Sequence, residues 1–228
     1  MARRKYKFVE TYPKRVAIVA MGRTAGSIIP ALQSTRYFET FPNEIWGINQ
    51  TQTWCKLDRL FVMDSAAEYY TNMGSKDNPE EKERYEGLMK WRQSLHSYDR
   101  PIFTSVNDSE WPTAVEFPLQ KVVDSIGSPI ASTYFHNTVM YAIAYAIYIG
   151  VERLDLFGMD FDYYNEEHDT IVTLEYARSG VEFWTGIAVG RGIEVKTPPN
   201  SGLLGMEIRD RMGFYGYGEH QPSIKLPS

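Results

Sequence analysis

A glycine and a carboxylate close the run Leu154-Asp155-Leu156-Phe157-Gly158-Met159-Asp160-Phe161. Open α/β sheets bind ligands outside the carboxyl ends of their strands, so Asp160, after a short apolar strand, is a candidate binding or catalytic acid. Upstream, Asn137-Thr138 opens the apolar stretch Val139 to Ile149, which Gly150 closes. Asn137 or Thr138 is a helix cap by residue type. The same helix start offers free amides to a phosphate or a base, so the two readings are compatible. Between an apolar strand and a helix lies Met21-Gly22-Arg23-Thr24-Ala25-Gly26-Ser27. Its amides could cradle a phosphate and Arg23 could add a positive charge, although an ordinary strand-to-helix turn has the same composition. The pattern is neither G-x-G-x-x-G nor G-x-x-x-x-G-K-[ST], which disfavours both of those nucleotide-binding classes. Asn49-Gln50 ends a second strand, where amides can bond a base or ribose without adding charge. Asparagine also closes strands on its own account.

Three residues are candidates for moving a proton. Asp64 ends a third strand on the same expected rim, His168 is the histidine close to Asp160 in sequence, and Glu175 opens a later helix. A histidine near a carboxylate can act as a general base. The loop Asp162-Tyr163-Tyr164-Asn165-Glu166-Glu167-His168-Asp169 carries enough oxygens to hold a divalent cation, or it is simply a solvated loop. No cysteine or histidine spacing of a metal site is present, and no G-x-S-x-G nucleophile elbow.

These residues must be placed by elements that alternate. Apolar runs at Val16–Ala20, Glu44–Asn49, Leu57–Asp64, Arg100–Thr104, Leu154–Phe157 and Ile193–Val195 read as strands. Helices are expected from the first turn to about Gln33, from Asn78-Pro79 to about Leu95, from Thr138 to before Gly150, and from about Leu174 to Val189. Residues 105–129 carry three prolines and read as irregular with one weak helix. Tyr141, Tyr145 and Tyr148 form a stripe at helical spacing that belongs to a core or an interface. Alternating strands and helices imply a doubly wound, mostly parallel Rossmann-like α/β sheet with helices on both faces.

At 228 residues the chain is expected to form one domain, with 162–174 a lid and 205–228 a C-terminal tail rich in glycine and aromatics. A chain of this size buries roughly 70% of its unfolded surface and needs no disulfide or metal to fold. The single cysteine, Cys55, fits a reducing compartment. The basic N-terminus is not followed by the apolar segment of a signal peptide, and no apolar run approaches the ~20 residues that span a bilayer. A soluble, cytoplasmic protein without a membrane partner is expected. The net charge of −5 disfavours broad coating of nucleic acid, though the cluster Arg3, Arg4, Lys5, Lys7, Lys14, Arg15 could still touch phosphate. Sixteen tyrosines suit a wet cleft or an interface, so homo-oligomers are compatible with the composition.

Taken in order, these motifs resemble the bacterial sialyltransferases. Asn137-Thr138 with its apolar helix, Gly150, and Leu156-Phe157-Gly158-Met159-Asp160-Phe161 are similar to the second half of their nucleotide site. Strand one with Gly22, then Asn49-Gln50, then Phe61 with Ala67–Thr71, and near the end Pro199-Asn200-Ser201-Gly202-Leu203 match further pieces in the same order. The same layout is shared by flagellin-associated glycosyltransferase-like proteins, by phage-encoded proteins thought to glycosylate hypermodified DNA bases, and by archaeal-type hydroxymethylpterin pyrophosphokinases.

The resemblance implies a Rossmann-like glycosyltransferase that uses a nucleotide-sugar as co-substrate and needs no catalytic metal. By position, Gly22, Asn49, Asn137, Thr138, Gly158 and Asp160 would hold the nucleotide, and Tyr163 or Tyr164 would contact the leaving phosphate. Arg23, Thr24 and Gln50 are further nucleotide-binding candidates on the same rim, and Asp64, His168 or Glu175 is the expected base that takes the acceptor proton. Met21 stands where the family has asparagine, and Arg23-Thr24 where it has Pro-Ser, which weakens a CMP-sialic acid donor and suits a diphosphate one. The expected acceptor is a hydroxyl, with a hydroxymethylated base in phage DNA as the favoured case, which would place the protein in the host cytoplasm. The alternatives are an Mg²⁺-dependent pyrophosphokinase with the ion on Asp160, Asp162 or Asp64, and a non-catalytic nucleotide-binding module.

Overall fold

The computed structural model describes residues 6–33, 42–64, 79–106, 111–165, 170–173 and 175–205. Seven strands form one sheet: β1 (Arg15–Val19), β2 (Glu44–Ile48), β3 (Arg59–Phe61), β4 (Ile102–Thr104), β5 (Ala114–Glu116), β6 (Arg153–Phe157) and β9 (Glu194–Lys196). Their spatial order is β5-β4-β3-β2-β1-β6-β9, and every neighbouring pair is parallel. A separate antiparallel pair joins β7 (Asp162–Asn165) to β8 (Thr170–Thr173). Five helices are described: α1 (Ile28–Gln33), α2 (Pro79–Ser94), α3 (Leu119–Ile126), α4 (Thr138–Ile149) and α5 (Glu175–Gly190). This is an α/β Rossmann-like fold.

The period of two in a strand sends alternate residues to opposite faces. Val16, Ile18, Trp46, Ile48, Phe61 and Phe103 join a core with α3, α4 and α5. Ala17, Val19, Ile45, Leu60 and Ile102 join a second core with Ile28 of α1 and Leu88 and Trp91 of α2. Strands apolar on both faces are what a doubly covered parallel sheet requires. From β1 the chain steps outward strand by strand to β5, then returns across the sheet to lay β6 on the other side of β1. The order therefore reverses between β1 and β6, the switch point at which such sheets form a crevice.

Helix α4 is buried almost all round, with Ala142, Ile143, Ala144, Tyr145 and Ala146 inaccessible. It starts on Asn137, whose Oδ1 accepts the Met140 N–H at 3.1 Å, and stops at Gly150 in a left-handed conformation (φ 79°). Of the tyrosine stripe, Tyr145 lies in the core, with Tyr141 and Tyr148 packed against it.

Two elements depart from the sequence expectation. Within 105–129, expected irregular apart from one helix, Ala114–Glu116 forms the edge strand β5. It is three residues long and half-exposed, so its pairing comes from the backbone and leaves no apolar pattern to read. Residues 162–165 and 170–173, expected as loop, pair as β7 and β8. Several strands are also shorter than expected. The third is Arg59–Phe61 rather than Leu57–Asp64, so Asp64 lies beyond its end.

The amino edge of the sheet is closed by residues 6–13. Arg59, 2% exposed, sits at its centre. Its Nε donates to Glu44 Oε2 at 2.6 Å, its Nη1 to Glu10 and Tyr145, and its Nη2 to the Thr11 carbonyl at 2.9 Å. The guanidinium lies 5.0 Å from the Trp46 ring centre and 5.6 Å from that of Phe8. A cavity of about 250 Å³ opens beside it, lined by Phe8, Glu44, Asp58 and Arg100 among others. Each nitrogen of Arg59 is already spent on a protein acceptor, so no ligand site is placed there.

Candidate nucleotide site at the switch point

Two strand ends meet at the crevice. Beyond β1, the Ala20 N–H bonds the Phe157 carbonyl at 2.8 Å, and the Gly22 N–H bonds the Gly158 carbonyl at 2.8 Å. The sheet pairing thus continues past the last ladder residue and holds the two loops together. Neither glycine leaves room for a side chain. A Cβ on Gly22 would lie 2.6 Å from the Gly158 carbonyl oxygen and 2.7 Å from Asp160 Oδ2. A Cβ on Gly158 would lie 2.5 Å from the Ala20 carbonyl oxygen, and Gly158 also adopts φ 69°.

Thr24 and Asp160, both 1% exposed, lock this junction. Asp160 Oδ2 accepts the Thr24 N–H at 2.8 Å, and the Thr24 hydroxyl lies 3.0 and 2.9 Å from the two carboxylate oxygens. The same hydroxyl accepts the Gly158 N–H at 3.1 Å. Asp160 Oδ1 also receives the Gly202 N–H at 3.3 Å, from the loop after β9. That loop is pinned by Ser201, whose Oγ accepts the Leu203 N–H at 3.2 Å. Residues 24, 160 and 202 are thus joined through one carboxylate. Phe161, the next residue, takes φ 57°, uncommon for a bulky side chain, and leads directly into β7.

Every strand end and every helix start of a parallel α/β unit falls on the same edge, which places the remaining candidates. Asn49 and Gln50 follow β2. Asn49 is left-handed (φ 52°), and its Oδ1 is buried without a hydrogen-bond partner. Asn tolerates that conformation better than most residues. Asn137 and Thr138 open α4. The cap uses Asn137 Oδ1, while its Nδ2 donates to the Ala177 carbonyl at 3.3 Å and ties α4 to the start of α5. Thr138 is buried. Arg23 is exposed on the loop between Gly22 and Thr24.

Of the three proton-transfer candidates, Asp64 is exposed beyond β3 and Glu175 is exposed at the first position of α5. His168 lies outside the described residues, as do Arg3, Arg4 and Lys5, residues 65–71 and the tail from 206. Tyr163, Tyr164 and Asp162 lie in β7. Among the described residues, no group of three His, Cys, Asp or Glu is placed to hold a metal ion, and no helix is long and apolar enough to cross a membrane.

In the first turn, three of the amides read as a candidate phosphate cradle are bonded within the protein. The Gly22 and Thr24 amides are bonded to Gly158 and Asp160, and the Ala25 amide to the Gly22 carbonyl at 2.9 Å. Gly202, by contrast, was not singled out among the candidates. The sequence signal was the Ser201-Gly202-Leu203 piece, which sits on this junction.

No family model and no curated protein matches the chain. Two solved structures are similar to it, both of the sialyltransferase CstII from Campylobacter jejuni. One is in complex with a substrate analogue, cytidine-5'-monophosphate, and the other with CMP-3FNeuAc. Each is 16% identical, with a TM-score of 0.43 over 82% of this chain and 81% of that chain. The fold assignment above rests on the strand pairing itself.

Proposed function

We propose that this chain is a glycosyltransferase that moves a sugar from a nucleotide-sugar to a hydroxyl acceptor. The observation that carries the reading is convergence. Gly22–Thr24, Gly158–Asp160 and Gly202, scattered over 180 residues of sequence, meet through one hydrogen-bonded junction at the switch point. They include some of the residues on which the resemblance to bacterial sialyltransferases rests, Gly22, Gly158, Asp160 and Gly202. In this reading Asn49, Gln50, Asn137 and Thr138 flank the base and ribose. Arg23, with Tyr163 or Tyr164, balances the charge that develops on the leaving phosphate. Asp64, Glu175 or His168 accepts the proton of the attacking hydroxyl. No metal is required. A hydroxymethylated base in phage DNA is the acceptor we favour, on the strength of the basic N-terminal run and the glycine–aromatic tail.

The pyrophosphokinase reading needs carboxylate oxygens for Mg²⁺. Those of Asp160 already receive two amides and a hydroxyl, so it falls back on Asp64 and Asp162. Thermal denaturation with CMP, UDP, GDP and ATP, in EDTA and in Mg²⁺, separates the readings. A ligand that binds only the folded state adds about 2.7 kcal/mol of stability at a hundred times its Kd. Stabilisation in EDTA by a pyrimidine or guanine nucleotide is expected. Stabilisation by ATP only with Mg²⁺ favours the kinase, and no response to any nucleotide removes both enzyme readings.

A further inference from the structure

The geometry points to Asp160 as a positioning residue: it holds the loops after β1, β6 and β9 in one arrangement and does not itself touch the ligand. That it holds the loops stands on the junction alone, and that it does not touch the ligand rests on the proposed sugar transfer from a nucleotide-sugar. Asp160 is 1% exposed, so it offers no face to a molecule in the crevice. Its acceptor capacity is directed inward. Oδ2 takes the Thr24 amide, Oδ1 takes the Gly202 amide, and the Thr24 hydroxyl lies within 3.0 Å of both. Thr24 relays the hold, because its oxygen accepts the Gly158 N–H while its proton goes to the carboxylate. Gly22 closes around the same group, since any Cβ there would lie 2.7 Å from Oδ2.

Chemistry also dictates a carboxylate rather than an amide. Two backbone N–H groups bond the side chain, one to each oxygen. Asparagine in the same place must turn its NH₂ toward one of them, and that amide is left buried and unpaired. Asp160→Asn is therefore an informative substitution even though its shape is conserved. Thr24→Val removes the relay hydroxyl from a position that is also buried, and Thr24→Ser keeps it.

The test combines amide hydrogen exchange, read by NMR, with the affinity for whichever nucleotide stabilises the wild type. Asp160→Asn should speed exchange at Thr24 or Gly202, whichever faces the new NH₂, and Thr24→Val at Gly158, by roughly ten- to hundredfold, the factor expected for an unsatisfied buried donor. The amides within β1 should stay protected. Each variant should weaken nucleotide binding by a comparable factor, Thr24→Ser should restore it, and the double variant should be no weaker than the worse single one. Two results overturn the assignment. One is wild-type protection at Thr24 and Gly202 in Asp160→Asn. The other is wild-type affinity in Thr24→Val alongside lost affinity in Asp160→Asn, which marks direct contact with the ligand. If the wild type binds no nucleotide, the transfer reading fails on its own. Exchange at Thr24 and Gly202 then decides whether Asp160 holds the loops.

Discussion

Single atoms decide the character of the crevice. Gly22 and Gly158 were readable from the sequence as glycines near a ligand, but their necessity has another source, namely the backbone of the opposite loop. Gly22→Ala must push its methyl against a carbonyl and a carboxylate, and Gly158→Ala against a carbonyl with an unfavourable φ added. Each should lose roughly 1–3 kcal/mol of stability, with Gly158→Ala the worse. Urea unfolding measures this directly, and a neutral Gly22→Ala would show that the two loops can separate. The sequence marked Asp160, Thr24 and Gly22 as members of one site. It could not reveal that Thr24 and Asp160 face each other rather than the solvent, because a contact between residues 136 apart leaves no local pattern.

Among the elements, α4 was the most legible. Its cap, apolar length and terminal glycine are all local signals, and the helix keeps its expected bounds. Strand β5 and the β7–β8 pair were not legible, since short segments held by backbone pairing carry little side-chain periodicity. The contact between α4 and α5 was equally hidden. A methyl on Gly180 would fall 1.9 Å from Met140 Cε and 2.9 Å from its sulfur, so the two helices approach through a glycine and a flexible side chain. Gly180→Ala must displace the end of the Met140 side chain, and that overpacking, about 1 kcal/mol at the low end of its range, should offset the helix-propensity gain of alanine. Met140→Ala opens a cavity and is itself destabilising, but in that background Gly180→Ala should cost less than it does in the wild type. Strict additivity of the two changes in thermal unfolding would mean that the side chains do not compete for the same space.

For the molecule as a whole, the alternation of strands and helices was enough to foresee a doubly covered sheet, because strands apolar on both faces admit few other arrangements. The amino-edge closure was not foreseen. Arg59 sits in a run that reads as an ordinary strand, and Glu10 and Glu44 reach it from distant segments. Burial alone would raise the Glu44 pKa, but hydrogen bonds from Arg59, Thr11 and Trp46 outweigh it and hold the carboxyl below its ordinary 4.5. A carboxyl with a lowered folded-state pKa contributes stability that is complete above its unfolded value and disappears as pH falls through the folded one. The wild type should therefore lose this contribution progressively as pH drops below about 4.5. Glu44→Gln, already weaker at neutral pH, should show a flatter acid limb. Parallel pH profiles for the two proteins in urea unfolding would remove Glu44 from the closure.

The touching glycines at the switch point also bear on how such a chain can change length. With the Gly22 amide on the Gly158 carbonyl and the Ala20 amide on that of Phe157, an inserted residue in either loop would put both out of step and part Thr24 from Asp160. Insertions should be better tolerated beside other turns, such as the exposed one at Gly127, whose left-handed glycine (φ 67°) is best kept. For an engineer, Gly127 is the place to graft a tag or a reporter, and the first turn is the place to leave alone.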